Sequence, residues 1–197
     1  MPFGLFNAPA TFQRCMTTIF HELIEDNMEE GIILGHKVLG SKIEVDKAKI
    51  KAISKLPYPM NVKAFRSFLR HAGFYRRFIK DFSQIARPMT QFLVKDSPFN
   101  FSKECIQAFD TLKRELKHAP IMIKLDWSLP FEIMCDASDY VVRAVLGQRI
   151  DKHFKPIHYA SKTMNEAQEN YTTTEKELLA VIFAFDKFRQ YLVMRSS

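Results

Sequence analysis

The segment Phe131-Glu-Ile-Met-Cys-Asp136-Ala-Ser138 is an alternating apolar strand that ends on an acid. Thr172-Thr-Thr-Glu175-Lys-Glu177-Leu-Leu-Ala-Val181 then opens a helix with another acid in its first turns. A carboxylate at a strand end and a second one early in a helix can converge on a divalent cation. Two-metal phosphodiester cleavage needs hard oxygen ligands of that kind. Asp136 is the strand-end candidate, and Glu175 and Glu177 are the acids at the helix start. Glu175 reads as a solvated first-turn acid favoured by the helix dipole, Asp139 as a turn residue, and Asp186 lies too deep in the helix to stand in for a strand-end ligand.

Around this pair the pattern gives strands over 131–136, 141–148 and 155–161, then a long helix over about 174–192. Strands in a row followed by a helix predict an α+β layer. Upstream, Pro9 to Glu25 reads as a helix with Phe12, Met16, Ile19, Phe20 and Leu23 at helical spacing. Ile32–Val38 and Ile43–Val45 read as a hairpin, and Asn61 is placed to cap a helix carrying Phe65, Phe68, Leu69 and Ala72 on one side. A short helix follows over Ser83–Leu93. Asp96–Phe101 is a linker, and Lys103–Lys117 is a helix with Ile106, Phe109, Leu112 and Leu116 inward. The predicted domains are 1–50, a basic helical region 51–95, a connection 96–127, and a final α+β unit 128–197.

Charge is concentrated. Residues 51–95 hold ten Lys/Arg and one acid, Asp81, while the first fifty are slightly acidic and the rest are balanced, so the whole +7 excess comes from one block. A basic block favours a polyanion because it releases counterions condensed on phosphates. Lys63, Arg66 and Arg70 recur on a face away from the apolar stripe, and Arg76, Arg77 and Lys80 extend the set. These six are the candidate nucleic-acid contacts. Cys15, Cys105 and Cys135 are scattered, which fits reduced thiols rather than a disulfide frame or zinc site. The first residues lack a secretory pattern, and the longest apolar run is too short to span a bilayer. An intracellular chain of cytoplasm or nucleus is expected, with no membrane partner. His36, His71 and His158 have no metal-ligand spacing.

Several stretches carry a family likeness. Phe131–Ser138 with Thr172–Val181 resembles the RNase H domain of reverse transcriptases from gypsy-like LTR retrotransposons of the plant type, which implies Asp136 and Glu177, in preference to Glu175, as the catalytic and metal-ligating pair. Met1-Pro-Phe-Gly-Leu-Phe-Asn-Ala-Pro-Ala-Thr-Phe-Gln13 resembles a palm segment of their polymerase. Gly31-Ile-Ile-Leu-Gly-His36-Lys37 resembles the palm hairpin that holds the primer end, which makes Leu34, Gly35 and His36 primer-grip-like. Val62–Ile79 is similar to the thumb motif. The likeness covers nearly the whole chain, in family order. It implies a partial polymerase palm and helical thumb followed by the N-terminal half of an RNase H-like mixed-sheet domain. It also implies a Pol polyprotein that originally included protease and integrase, RNA–DNA hybrid or duplex nucleic acid as partner, and Mg²⁺ (or Mn²⁺) as cofactor.

The departures matter as much. The family carries two adjacent aspartates on a hairpin before the Gly31 element. Here Met28-Glu-Glu runs straight into Gly31, and no two aspartates are adjacent anywhere in the sequence. The family's further RNase H aspartate, from a strand after the long helix, has no match before Ser197. Arg143, Arg70 and Lys42 stand where the family has glycine. The resemblance thus implies a truncated Pol segment with an internal deletion, catalytically incomplete, holding Mg²⁺ weakly if at all. Three readings stay open: a Pol fragment of the RNA-directed DNA polymerase and RNase H family, a nuclease completed by some other group, and a non-catalytic, sequence-independent nucleic-acid-binding module.

Overall fold

The computed structural model describes residues 30–33, 35–40, 42–90 and 101–193. The expected helix over Pro9–Glu25, the Met1–Gln13 motif, Leu34, most of the Asp96–Phe101 linker and the end of the helix expected to reach Leu93 lie outside them.

An antiparallel meander comes first: β1 (Glu30–Ile33), β2 (His36–Leu39) and β3 (Lys42–Val45). The run expected as a single strand from Ile32 to Val38 is broken at Gly35. That residue has φ +79°, and a Cβ there would meet the Lys49 ammonium at 2.7 Å and the Phe74 ring at 3.2 Å. Its carbonyl accepts a 3.0 Å hydrogen bond from the Tyr75 hydroxyl, whose pKa is pushed up to about 12 by burial and the nearby Asp46. Helix α1 (Lys47–Ser54) escaped the sequence reading. Asp46 caps it by accepting from the amides of Ala48 (2.9 Å) and Lys49 (3.4 Å), and only Ile50 and Ile53 face inward.

Helix α2 (Val62–Phe74) starts at Asn61, whose side chain accepts from the Ala64 amide at 2.8 Å, and buries Phe65, Phe68 and Ala72. A 3₁₀ turn (Arg76–Phe78) leads to Asp81, at φ 59°, and then to α3 (Phe82–Thr90). Helix α4 (Lys103–Lys117) is capped by Ser102 and turns Cys105, Ala108, Phe109, Leu112 and Leu116 inward, while Ile106 stays half-buried. These helices and β3 share one core. At its centre the Phe68 and Phe109 ring centroids lie 4.2 Å apart. After α4, β4 (Met122–Ile123) returns to pair with β3, Met122 opposite Ile43. The segment expected as a connection thus contributes its helix and a strand to the first core.

The second unit is a three-stranded sheet of β5 (Phe131–Ala137), β6 (Val141–Ile150) and β7 (His153–Thr163). A one-turn helix, α5 (Glu166–Glu169), precedes α6 (Thr173–Val193), which lies across β5 and β6. All strand pairings among the described residues are antiparallel, so the mixed sheet expected from the family likeness is not seen there. Ala144, Leu146 and Ile157 pack against Ala184 and Phe188, and Val142 against Ala180. Alanines at 180 and 184 let the helix backbone sit close to the sheet. The apolar run of this helix is only half buried: Leu178 (59%), Ile182 (57%) and Phe185 (56%) face outward. No helix among the described residues is long and apolar enough to cross a membrane.

Gln148 is the buried polar residue that shapes this unit. Its side chain accepts from the Asp126 amide (3.0 Å) and donates to the carbonyls of Asp126 (2.5 Å) and Leu129 (3.1 Å), holding the turn that feeds β5. Gln148→Leu leaves those three backbone groups without this partner. Equilibrium urea unfolding is expected to show a loss of about 1–3 kcal/mol.

Candidate functional site

The hairpin β5–β6 turns at Ser138, whose amide and hydroxyl both donate to the Val141 carbonyl, at 2.9 and 3.1 Å. That turn sets the register and puts Asp136 directly opposite Arg143. The Arg143 Nη2 donates to Asp136 Oδ2 at 2.5 Å, and its Nη1 lies 3.6 Å from Oδ1 of Asp81, at the entry to α3. Arg143 Nε is buried without a hydrogen-bond partner among the described residues.

Glu177 comes to the same place from α6. Its Oε1 accepts from the Ala137 amide at 3.4 Å, so the second candidate carboxylate sits beside the residue next to Asp136. Both carboxylates, together with burial, push the Cys135 thiol pKa up, burial being the largest cause. Glu175 has a different task. Its carboxylate accepts from the Thr172 amide and hydroxyl, each at 2.8 Å, and the Thr172 hydroxyl accepts in turn from the Glu175 amide at 3.4 Å. Those bonds hold the Glu175 carboxyl below its usual range. Lys176 donates to the Asp139 carbonyl at 3.3 Å and ties the 138–140 turn to the start of α6.

A divalent ion does not fit these residues as they stand. Among the described residues no three His, Cys, Asp or Glu side chains gather to hold a metal. Glu177 reaches only the amide next to Asp136, and Asp136 already carries a guanidinium. Mg²⁺ demands near-octahedral oxygen coordination and gives up its waters reluctantly.

The basic block divides into two groups. Lys63, Arg66 and Arg70 are exposed on the side of α2 away from Phe65, Phe68 and Ala72, and Arg76 and Lys80 are exposed beyond it. Arg77 is different: its Nη2 donates to the Ile157 carbonyl at 3.2 Å, its Nε is buried, and its guanidinium lies 5.7 Å from the Phe78 ring centroid. It braces β7 rather than facing solvent. Gly35 is buried, and the His36 ring packs against Phe74, Tyr75 and Phe78 at centroid distances of 5.1, 5.8 and 5.5 Å. The turn read as primer-grip-like is thus docked on an aromatic cluster.

Sequence reasoning missed the Asp136–Arg143 pair, although the signal was present. A turn over 138–141 between two strands puts 136 across from 143 by counting alone. It also missed the interior around His158. That ring contacts the Tyr191 hydroxyl at 3.2 Å and Phe188 edge-on at 5.5 Å. Its pKa is pushed down to about 2 by burial first, then by the charges of Arg77, Lys187 and Arg76. The folded protein therefore keeps this imidazole neutral where the unfolded chain, at its ordinary 6.5, takes a proton. The contribution to stability is complete above pH 6.5 and is lost as pH falls below it, with a limiting slope of about 1.4 kcal/mol per pH unit. Urea midpoints measured from pH 7.5 to 5 are expected to fall, and His158→Phe is expected to flatten that fall.

Comparison with known proteins bears on this geometry. Residues 101–197 match the RNase H-like domain found in reverse transcriptase. The Pol polyprotein of transposon 297 from Drosophila melanogaster is 35% identical over 240 aligned positions, taking in 99% of this chain and 22% of that polyprotein. The corresponding polyprotein of transposon gypsy is 31% identical, with 98% and 24% covered. The alignment with transposon 297 is longer than the 197-residue chain, so that relative has residues with no counterpart here. The chain spans about a quarter of the length of these relatives. Two solved structures share the fold, each with a TM-score of 0.73. A foamy viral protease–reverse transcriptase in complex with double-stranded DNA is 19% identical, covering 93% of this chain and 34% of that one. The enzyme in complex with an RNA/DNA hybrid is 20% identical, covering 91% and 26%.

Proposed function

Because this chain belongs to the reverse transcriptase–RNase H region of gypsy-type retrotransposon Pol polyproteins, we propose that it is a sequence-independent nucleic-acid-binding segment with neither catalytic activity of its own. The observation that carries this reading is the exposure of Lys63, Arg66 and Arg70 along one side of α2, with Arg76 and Lys80 exposed beyond it. The only acid in the surrounding block, Asp81, is turned to Arg143. Phosphates meeting the face find five cations with no neighbouring carboxylate from the same block to oppose them. The structural relatives in complex with double-stranded DNA and with an RNA/DNA hybrid support duplex or hybrid as the partner.

The catalytic side of the reading rests on what the chain offers to a phosphoryl-transfer site. Polymerisation on two metal ions needs closely placed aspartates, and no adjacent pair exists in the sequence. RNA-strand cleavage would draw on Asp136 and Glu177, with Mg²⁺ or Mn²⁺ supplying charge stabilisation and an activated water when bound. The two residues hold such an ion weakly at most, because Asp136 is engaged by Arg143. Glu177 accepts one backbone amide and orients toward the same strand end.

Fluorescence anisotropy with a short hybrid duplex tests the binding half. Five phosphate contacts give a log–log salt slope of about −4.5. Arg66→Ala is expected to make the slope shallower by about 0.9. Arg77→Ala is expected to lower stability and leave the slope unchanged. Binding indifferent to salt would remove the proposal. The catalytic half is read separately. The purified chain is expected to extend no primer and to cleave the RNA strand of a hybrid at no more than background rate in Mg²⁺ or Mn²⁺. Robust cleavage abolished by Asp136→Asn would mean that another group completes the site.

A further inference from the structure

One guanidinium stands where the carboxylates converge, and the fold delivers it from two directions. The register of β5 and β6 places Arg143 across from Asp136. The close packing of the 3₁₀ turn and α3 against β7 brings Asp81 to its other side. Each terminal nitrogen of Arg143 therefore faces a different carboxylate, Asp136 at 2.5 Å and Asp81 at 3.6 Å, with Glu177 arriving next to Asp136 through the Ala137 amide.

We propose that Arg143 is a tethered cation that takes the place of a divalent ion at Asp136, keeping the strand-end carboxylates closed to metal and clasping the helical block to the sheet. The chemistry favours the tethered group. A guanidinium fixed on the opposing strand gives up no translational freedom on binding, whereas Mg²⁺ or Mn²⁺ must shed water and displace an existing charge-assisted bond. Without Arg143, Asp81 and Asp136 would face each other across its vacated position, with Glu177 bonded to the neighbouring Ala137 amide. That uncompensated pair of carboxylates invites a divalent cation.

This inference rests on the non-catalytic reading above, but it is tested without nucleic acid or turnover. Mn²⁺ is titrated into ¹⁵N-labelled protein, and paramagnetic broadening of the Asp136, Ala137 and Glu177 amides is followed. Arg143→Gln, which removes the charge and keeps a polar side chain, is expected to show saturable broadening with an affinity about tenfold or more above the parent chain. Adding Asp136→Asn to that variant is expected to abolish the gain. Asp81→Asn alone, which leaves the bond to Asp136 in place, is expected to gain little. If Arg143→Gln does not fold, Arg143→Met, of similar reach and no charge, is measured instead. Equal Mn²⁺ affinity in parent and variant, or no binding in either, overturns the inference. Failure of both variants to fold also overturns it, since Arg143 would then be a strut and nothing more. Hybrid cleavage by the parent chain would instead overturn the non-catalytic reading, so the two failures are told apart.

Discussion

Helix α3 receives its first-turn partner from another part of the chain. The Ser83 amide donates to the Ser161 hydroxyl at 2.9 Å, and the Ser83 hydroxyl donates back to the Ser161 carbonyl at 2.8 Å. A helix's first amides have no partner within the helix, and a neighbouring side chain normally satisfies one of them from the residue just before. Here that oxygen comes from β7, so the start of α3 and the position of the sheet are fixed by the same two bonds. Among the described residues, further polar contacts join the two cores. Arg77 reaches the Ile157 carbonyl, Arg143 reaches Asp81, and Arg87 stacks 3.8 Å from the Tyr140 ring centroid with Glu169 3.6 Å away.

The joint sorts the basic block into two kinds of charge. Arg77 has its guanidinium partly inside, bonded to backbone, and Arg87 lies over an aromatic face where it gains from the ring quadrupole. The Arg87–Glu169 ion pair adds little by itself, since exposed pairs at such distances contribute a fraction of a kcal/mol. What remains on α2 is a set of exposed cations, Lys63, Arg66 and Arg70, away from these contacts among the described residues. A polyanion can be bound there without unmaking the contacts that hold the cores together.

Local signals carried much of the fold in the sequence. Asn61 caps α2, the α4 boundaries are those its pattern predicts, and the three strands of the second sheet fall within a few residues of their alternating runs. Short elements were hidden. Helix α1 shows only two inward residues over eight, and β4 is two residues long, too little for periodicity to register. Gly35 broke a run that reads as continuous, because a positive φ is a property of the turn and not of the hydrophobic pattern. For the candidate site, strand-end and helix-start logic pointed to Asp136 and Glu177, and the structure brings Glu177 to the Ala137 amide beside Asp136. The arrival of Asp81 and the inward turn of Arg77 depended on how two cores dock. No spacing within either segment encodes that.

The pairing of Ile43 with Met122 has a consequence for the order in which the chain can fold. The β1–β3 meander and the β5–β7 sheet close between near neighbours and can form early. The fourth strand of the first sheet joins residues roughly eighty apart, so it meets its entropic cost in one long closure rather than by short steps. Everything between them, α1 through α4, lies inside that loop. Docking of β4 therefore carries the longest loop closure of this sheet, and it couples the sheet to the helices that the loop encloses.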